Sequence, residues 1–133
     1  MSFRSLEPGV HVWGQISEDD VTSARNLGVT LIINNRPDGE DPGQPTSAQI
    51  EAWSRAAGLS YAWQPIQGRP TPEQATAMAD LLNTSDSALI YCRSGMRSAA
   101  AWAMGRASSG EMTPDEARAA AAAAGYDLSG LPL

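Results

Sequence analysis

The 133-residue chain has a single cysteine and a single histidine, and each scarcity removes a class of answer. With Cys92 alone, no disulfide can close within the chain. That suits a reducing compartment, and any oxidised or sulfur-loaded form of the thiol must be reset by another molecule. One cysteine and one histidine fall short of the ligand set of a zinc site, so neither a metal nor a cofactor is expected, and His11 reads as a structural or surface residue. Apolar runs of membrane-spanning length are missing, and Met1 to Gly9 lack the hydrophobic segment of a signal peptide, which together point to a cytoplasmic protein. Positive charge is scarce as well. Nine basic residues against 15 acidic ones give a net charge of -6 and a pI near 4.6, which argues against nucleic acid or an anionic membrane as principal partner. A small anionic substrate would need local steering, which Arg36, Arg69, Arg93 and Arg97 supply if folding gathers them.

What the chain does have is a regular alternation of strand and helix signals within the length of one domain, residues 1–133. Val10–Trp13 reads as a first strand. Ser17 with Asp20 forms a capping box for a helix through about Leu27, which Gly28 stops. Val29–Asn34 reads as a strand buried on both faces and ends in the polar loop Asn35-Arg36-Pro37-Asp38-Gly39-Glu40. Thr46 with Gln49 opens a second helix, stopped by Gly58. Leu59–Ile66 gives a further strand, followed by the loop Gln67-Gly68-Arg69-Pro70. Thr71-Pro72-Glu73-Gln74 caps a helix to about Asn83, with proline at its first position. Thr113-Pro114-Asp115-Glu116 opens a last helix ending near Gly125, whose tract Ala119–Ala124 implies close helix packing. The four tryptophans, Trp13, Trp53, Trp63 and Trp102, are assigned to core or pocket walls. The expected fold is a single α/β domain, a mostly parallel sheet of four to five strands flanked by helices, with its working loops at the strand C-termini.

The chemistry concentrates in Tyr91-Cys92-Arg93-Ser94-Gly95-Met96-Arg97-Ser98. A buried strand, Ala88 to Tyr91, runs into the cysteine, Gly95 permits a tight turn, and a helix follows from about Met96 to Ala107. A turn entering a helix aims backbone N–H groups and the positive end of the helix dipole at one point, and Arg93 and Arg97 strengthen that field. Under it a thiol ionises near neutral pH and becomes a nucleophile. A lone cysteine is ordinarily a small buried hydrophobe, but an inert one needs neither the glycine turn nor the arginines.

Gly14-Gln15-Ile16-Ser17 with Asp20, Ile32-Ile33-Asn34-Asn35-Arg36-Pro37-Asp38-Gly39-Glu40, Thr71-Pro72-Glu73-Gln74 and the Cys92 octapeptide together resemble the phosphatase-like domain of beta-lactamase-hydrolase-like proteins, over nearly the whole chain. The resemblance implies the fold of dual-specificity and tyrosine phosphatases, with Cys92 opening an anion-cradling loop. It also implies a metallo-hydrolase as a partner, since the family fuses the two.

Two departures bear on the reaction. Tyrosine phosphatases place five residues between cysteine and arginine, usually after a histidine. Here four separate Cys92 from Arg97 and Tyr91 precedes, so the six-residue loop is similar to that of single-domain rhodaneses, which carry a persulfide. A ring of N–H donors must match its anion, and a phosphoryl group needs more room than one sulfur atom. The loop that would carry a phosphatase's general acid, Gln67-Gly68-Arg69-Pro70, has no carboxylate, which leaves Asp38 as a candidate acid or as simple turn chemistry. Sulfur transfer through a Cys92 persulfide is therefore the leading expectation, phosphomonoester hydrolysis through a phosphocysteine the alternative, and a catalytically silent anion-binding module the second alternative. The expected catalytic residues are Cys92, Arg97, Ser98 and Asp38. Arg93, Ser94, Gly95, Met96 and Arg36 are expected to bind the small anionic substrate, Gly95 through its backbone.

Overall fold

The computed structural model describes residues 3–133, and in it strand and helix alternate after an initial hairpin. Strands β1 (Arg4–Glu7) and β2 (Val10–Trp13) pair antiparallel across a turn in which Gly9 sits at φ 83°. There follow α1 (Glu18–Asn26), β3 (Leu31–Asn34), α2 (Ser47–Ala56), β4 (Ser60–Trp63), α3 (Pro72–Leu82), β5 (Ala88–Tyr91), α4 (Met96–Ser108) and α5 (Pro114–Ala123). The five strands make one sheet in the order β1-β2-β5-β3-β4, and all neighbours but β1 and β2 run parallel.

This is the mostly parallel α/β architecture that the alternation predicts, with local differences. β1 is an additional strand. Its Arg-Ser-Leu-Glu sequence buries only Leu6 and shows no alternation of its own, so β2 has to pair with it to define it. The strand expected over Val29–Asn34 starts at Leu31, because the Val29 N–H instead closes α1 on the Ala24 carbonyl at 3.0 Å. The strand expected over Leu59–Ile66 ends at Trp63, just ahead of Pro65, which has no N–H to donate.

Central strands β3 and β5 are buried along their whole length, and successive residues face opposite layers. Leu31, Ile33 and Ile90 pack with Met78, Ala99, Trp102 and Ala117 under α3, α4 and α5. Ile32, Leu89 and Tyr91 pack with Val21, Ala24 and Ile50 under α1 and α2. Close approach of α4 to α3 depends on Gly105, where a Cβ would lie 2.7 Å from the Ala75 carbonyl oxygen. Trp102 is fully buried, whereas Trp63 is 44% exposed on a cavity wall with Asp38 and Pro65. Among the described residues no helix is long and apolar enough to cross a membrane. The parallel strands bring the loops after β2, β3, β4 and β5 to one end of the sheet, with β5 between β2 and β3.

Candidate active site

β5 delivers Cys92 to the middle of that end, fully buried, with its Sγ accepting the Gly95 N–H at 3.1 Å. Gly95 is the N-cap of α4 and has φ 98°, a left-handed conformation that side chains resist. A Cβ there would also collide with the hydroxyl of Tyr126, which donates to the Ser94 carbonyl at 3.2 Å. On the other flank the Gln15 N–H donates to the Arg93 carbonyl at 3.2 Å, and a Cβ on Gly14 would lie 2.9 Å from that same oxygen. The cysteine loop is thus braced by the end of β2 and by the segment after α5.

Arg97, on the first turn of α4, donates Nη1 to the Ile66 carbonyl (2.7 Å) and grips Glu40 with both terminal nitrogens, Nη1 to Oε2 at 2.8 Å and Nη2 to Oε1 at 2.9 Å. Glu40 also accepts from Arg36 Nε at 2.9 Å. Arg36 is buried and donates further to Gln15 Oε1 (2.9 Å) and Asp41 Oδ2 (2.7 Å). Asp41 in turn pairs with Arg93 Nε at 3.2 Å. One acidic pair on the loop after β3 therefore ties together the three arginines around the cysteine. The Arg97 guanidinium, opposed by partial burial and assisted by Arg36, holds the Glu40 carboxyl down at about 2. Arg97 is raised in turn, chiefly by Glu40, against its own desolvation, with the Cys92 sulfur adding to the shift.

Ser98 is fully buried, and its Oγ donates to Asn35 Oδ1 at 2.7 Å. Asn35 Nδ2 donates to the Gln64 carbonyl at 3.0 Å, so α4 is pinned to the loops after β3 and β4. The fold brings Cys92, Ser94, Gly95, Met96, Arg97 and Ser98 into one loop and helix turn. Arg93 lies on the exposed rim, held by Asp41. Arg36 lies beneath the site, where its donors are committed to Gln15, Glu40 and Asp41. Asp38 Oδ1 accepts the Ser47 N–H at 2.8 Å and so fastens the start of α2. Sequence reasoning did not single out Glu40, Asp41 or Asn35. The available signal was two acids directly after an arginine-bearing turn, in a chain whose candidate site held three arginines.

The family model for the phosphatase-like domain of beta-lactamase hydrolase-like proteins matches residues 2–109. The chain belongs to that family. Curated relatives include beta-lactamase hydrolase-like proteins of Xylella fastidiosa strain Temecula1, 37% identical over 96% of this chain, and of Agrobacterium fabrum strain C58, 31% identical over 86%. The chain spans only 30% and 27% of those two proteins. A solved structure from Neisseria meningitidis Z2491, described as a candidate phosphatase, is 32% identical and superposes with a TM-score of 0.86 over 98% of this chain and 93% of that one. Tk-PTP, at 17% identity and TM-score 0.74 over 93% of this chain and 84% of that one, shares the fold. This phosphatase-like domain accordingly has the architecture of the dual-specificity and tyrosine phosphatases, as its motifs imply.

Proposed function

We propose that this domain transfers sulfur through a persulfide on Cys92. The observation that carries the reading is the commitment of the acids around the cysteine loop. Glu40 lies in a double ion pair and is held at about 2, Asp41 joins Arg36 to Arg93, and Asp38 fastens α2. Asp127, in the cavity beside Arg97, is lowered by the Ser129 hydroxyl and N–H. Each of the four is held by a partner of its own, which favours a reaction that needs no acid for a leaving alkoxide over phosphomonoester cleavage, which uses one. A sulfur donor with a stable leaving anion needs no such acid.

With thiosulfate as donor, the Cys92 thiolate attacks the outer sulfur, a Cys92 S–S bond forms, and the S–S bond of thiosulfate breaks with its electron pair leaving on sulfite. The Gly95 N–H and Arg97 stabilise the anions on either side of that step. A second nucleophile then takes the outer sulfur, and the electron pair returns to Cys92. Ser98 positions α4 through Asn35, and Glu40 positions Arg97. A reducing cytoplasm supplies thiols that reset the cysteine. The longer relatives favour a hydrolase working beside this domain as the partner that uses the sulfur or its carrier.

Hydrolysis of phosphomonoesters is the second reading, favoured by the likeness to the Neisseria protein. Both are tested on one preparation. Incubation with thiosulfate is expected to leave the protein one sulfur atom heavier at Cys92 by mass spectrometry, with cyanide reversing the gain. An aryl phosphate turned over by Cys92 in the absence of any such adduct would replace sulfur transfer with phosphatase action.

A further inference from the structure

A cavity of about 510 Å³ opens against the cysteine loop on the side of β2 and α5, and the residues already discussed leave it unexplained. Its walls include Ser94 and Met96, the two neighbours of the glycine whose N–H holds the Cys92 sulfur, together with Trp13, Tyr126 and Arg4. We propose that this cavity binds the organic tail of the sulfur donor, a low-molecular-weight persulfide bearing a carboxylate, and that Arg4 receives that carboxylate. The proposal rests on the sulfur-transfer reading and goes beyond it by naming the donor class.

Charge points to Arg4. Around the loop, Arg36, Arg93 and Arg97 are each paired with Glu40 or Asp41, whereas among the described residues no carboxylate pairs with Arg4 or with Arg69, and of these two only Arg4 lines this cavity. In a chain of net charge -6, an arginine left without an acid beside a reactive loop is conspicuous. Arg4 is nonetheless held in place. Its Nη1 donates to the Ala124 carbonyl at 2.8 Å, and its guanidinium carbon lies 5.8 Å from the centre of the Tyr126 ring. Gly125, at φ 95°, leaves the space the guanidinium occupies, and a Cβ there would collide with it. A guanidinium has five N–H donors, and only one is engaged by the Ala124 carbonyl, so a fork for a carboxylate remains.

Shape and size fit the same class. Trp13 is braced edge-on by Phe3, with ring centres 5.9 Å apart and planes at 78°, and Met96 is 39% exposed. These give apolar walls for an aliphatic stem between the sulfur loop and the cation. The volume is that of an ordinary small-molecule site and far exceeds what thiosulfate fills. In the reaction the Cys92 thiolate attacks the outer sulfur of RS–SH, the Cys92 S–SH bond forms, and RS⁻ departs with the electron pair and takes a proton from water.

The test compares three donors on the same protein: the persulfide of N-acetylcysteine, the persulfide of N-acetylcysteine amide, and thiosulfate, with loading of Cys92 read by mass spectrometry. The acid is expected to show a KM about tenfold below that of the amide. Arg4→Met should erase that preference while thiosulfate loads at the wild-type rate, and Arg4→Lys should restore part of it. Equal KM values for acid and amide on the wild-type protein would overturn the proposal without recourse to any variant. So would a preference that survives Arg4→Met. In either case thiosulfate loading would leave sulfur transfer itself standing, whereas failure of all three donors would bring down both.

Discussion

Four helices of this domain begin in one way and the fifth begins in another. At α1, α2, α3 and α5 the N-cap is Ser17, Thr46, Thr71 or Thr113, and each side chain accepts an N–H of the first turn. In three of them the N-cap N–H donates in return to the side chain of Asp20, Gln74 or Glu116 and completes a capping box. Acids also sit in the first turns of α1, α3 and α5, where the helix dipole favours them. At α4 the N-cap is a left-handed glycine with no side chain, the first turn has no acid, and it holds Arg97 instead. The acceptors there are the sulfur of Cys92, for the Gly95 N–H, and the hydroxyl of Ser94, for the Met96 N–H. A cation at a helix N-terminus is unfavourable in isolation and is offset here by Glu40, so on the proposed reading this end receives charge where the others hold a helix. α4 draws its own stability from burial, with Ala99, Ala101, Trp102 and Ala103 all at 0% exposure.

The contrast breaks most completely at the sulfur acceptor. Cys92→Ser is expected to abolish sulfur loading and any aryl phosphate turnover, while unfolding in urea shifts by no more than about 1 kcal/mol, since the hydroxyl still receives the Gly95 N–H. Next comes the left-handed cap. Gly95→Ala meets both φ 98° and the Tyr126 hydroxyl, so the loop must shift. A loading rate at least ~100-fold lower is expected, with stability down by about 1–2 kcal/mol. A variant that loads at the wild-type rate would show that the loop geometry is not set by Gly95.

Glu40→Gln probes the arginine that replaces the acid. It loosens Arg97 without removing it, and the loading rate should fall about tenfold. It also has a pH signature. Glu40 lies at about 2 in the folded protein against 4.5 unperturbed, so its contribution to stability is complete above about pH 4.5 and is lost as pH falls towards 2. Urea midpoints of wild type and variant should therefore converge across that window, and a constant gap would argue that Glu40 does not carry the ion pair.

How much of this was legible in the sequence follows from how far apart the partners lie. The cysteine loop is one local segment, so its strand, turn glycine and helix could be read in order, and the capped helices announced themselves by residues three apart. Glu40 and Arg97 are 57 positions apart, and Arg4 and Ala124 are 120 apart, so nothing local marks either pairing. β1 shows the same limit, because its identity as a strand comes from its pairing with β2 rather than from its own four residues. Asp38 was ambiguous for a different reason. A Pro-Asp-Gly turn offers a carboxylate that serves equally as an acid or as a backbone acceptor, and only the position of the Ser47 N–H decides which bond it makes.

The smallest effect belongs to the ordinary helix ends and sharpens the contrast from their side. Thr113→Ala removes the hydroxyl that accepts the Glu116 N–H at 3.1 Å and leaves the Glu116 carboxylate bonded to the Thr113 N–H at 2.8 Å. The loss should be about 1 kcal/mol of stability, read as a lower urea midpoint at unchanged slope. Loading of Cys92 should not change, because Thr113 follows the C-terminal end of α4, the end away from Cys92. A fall in loading larger than the fall in stability would mean that the C-terminal helix tunes the cysteine loop through Tyr126. The helix ends would then no longer divide cleanly into those that hold a helix and the one that receives an anion.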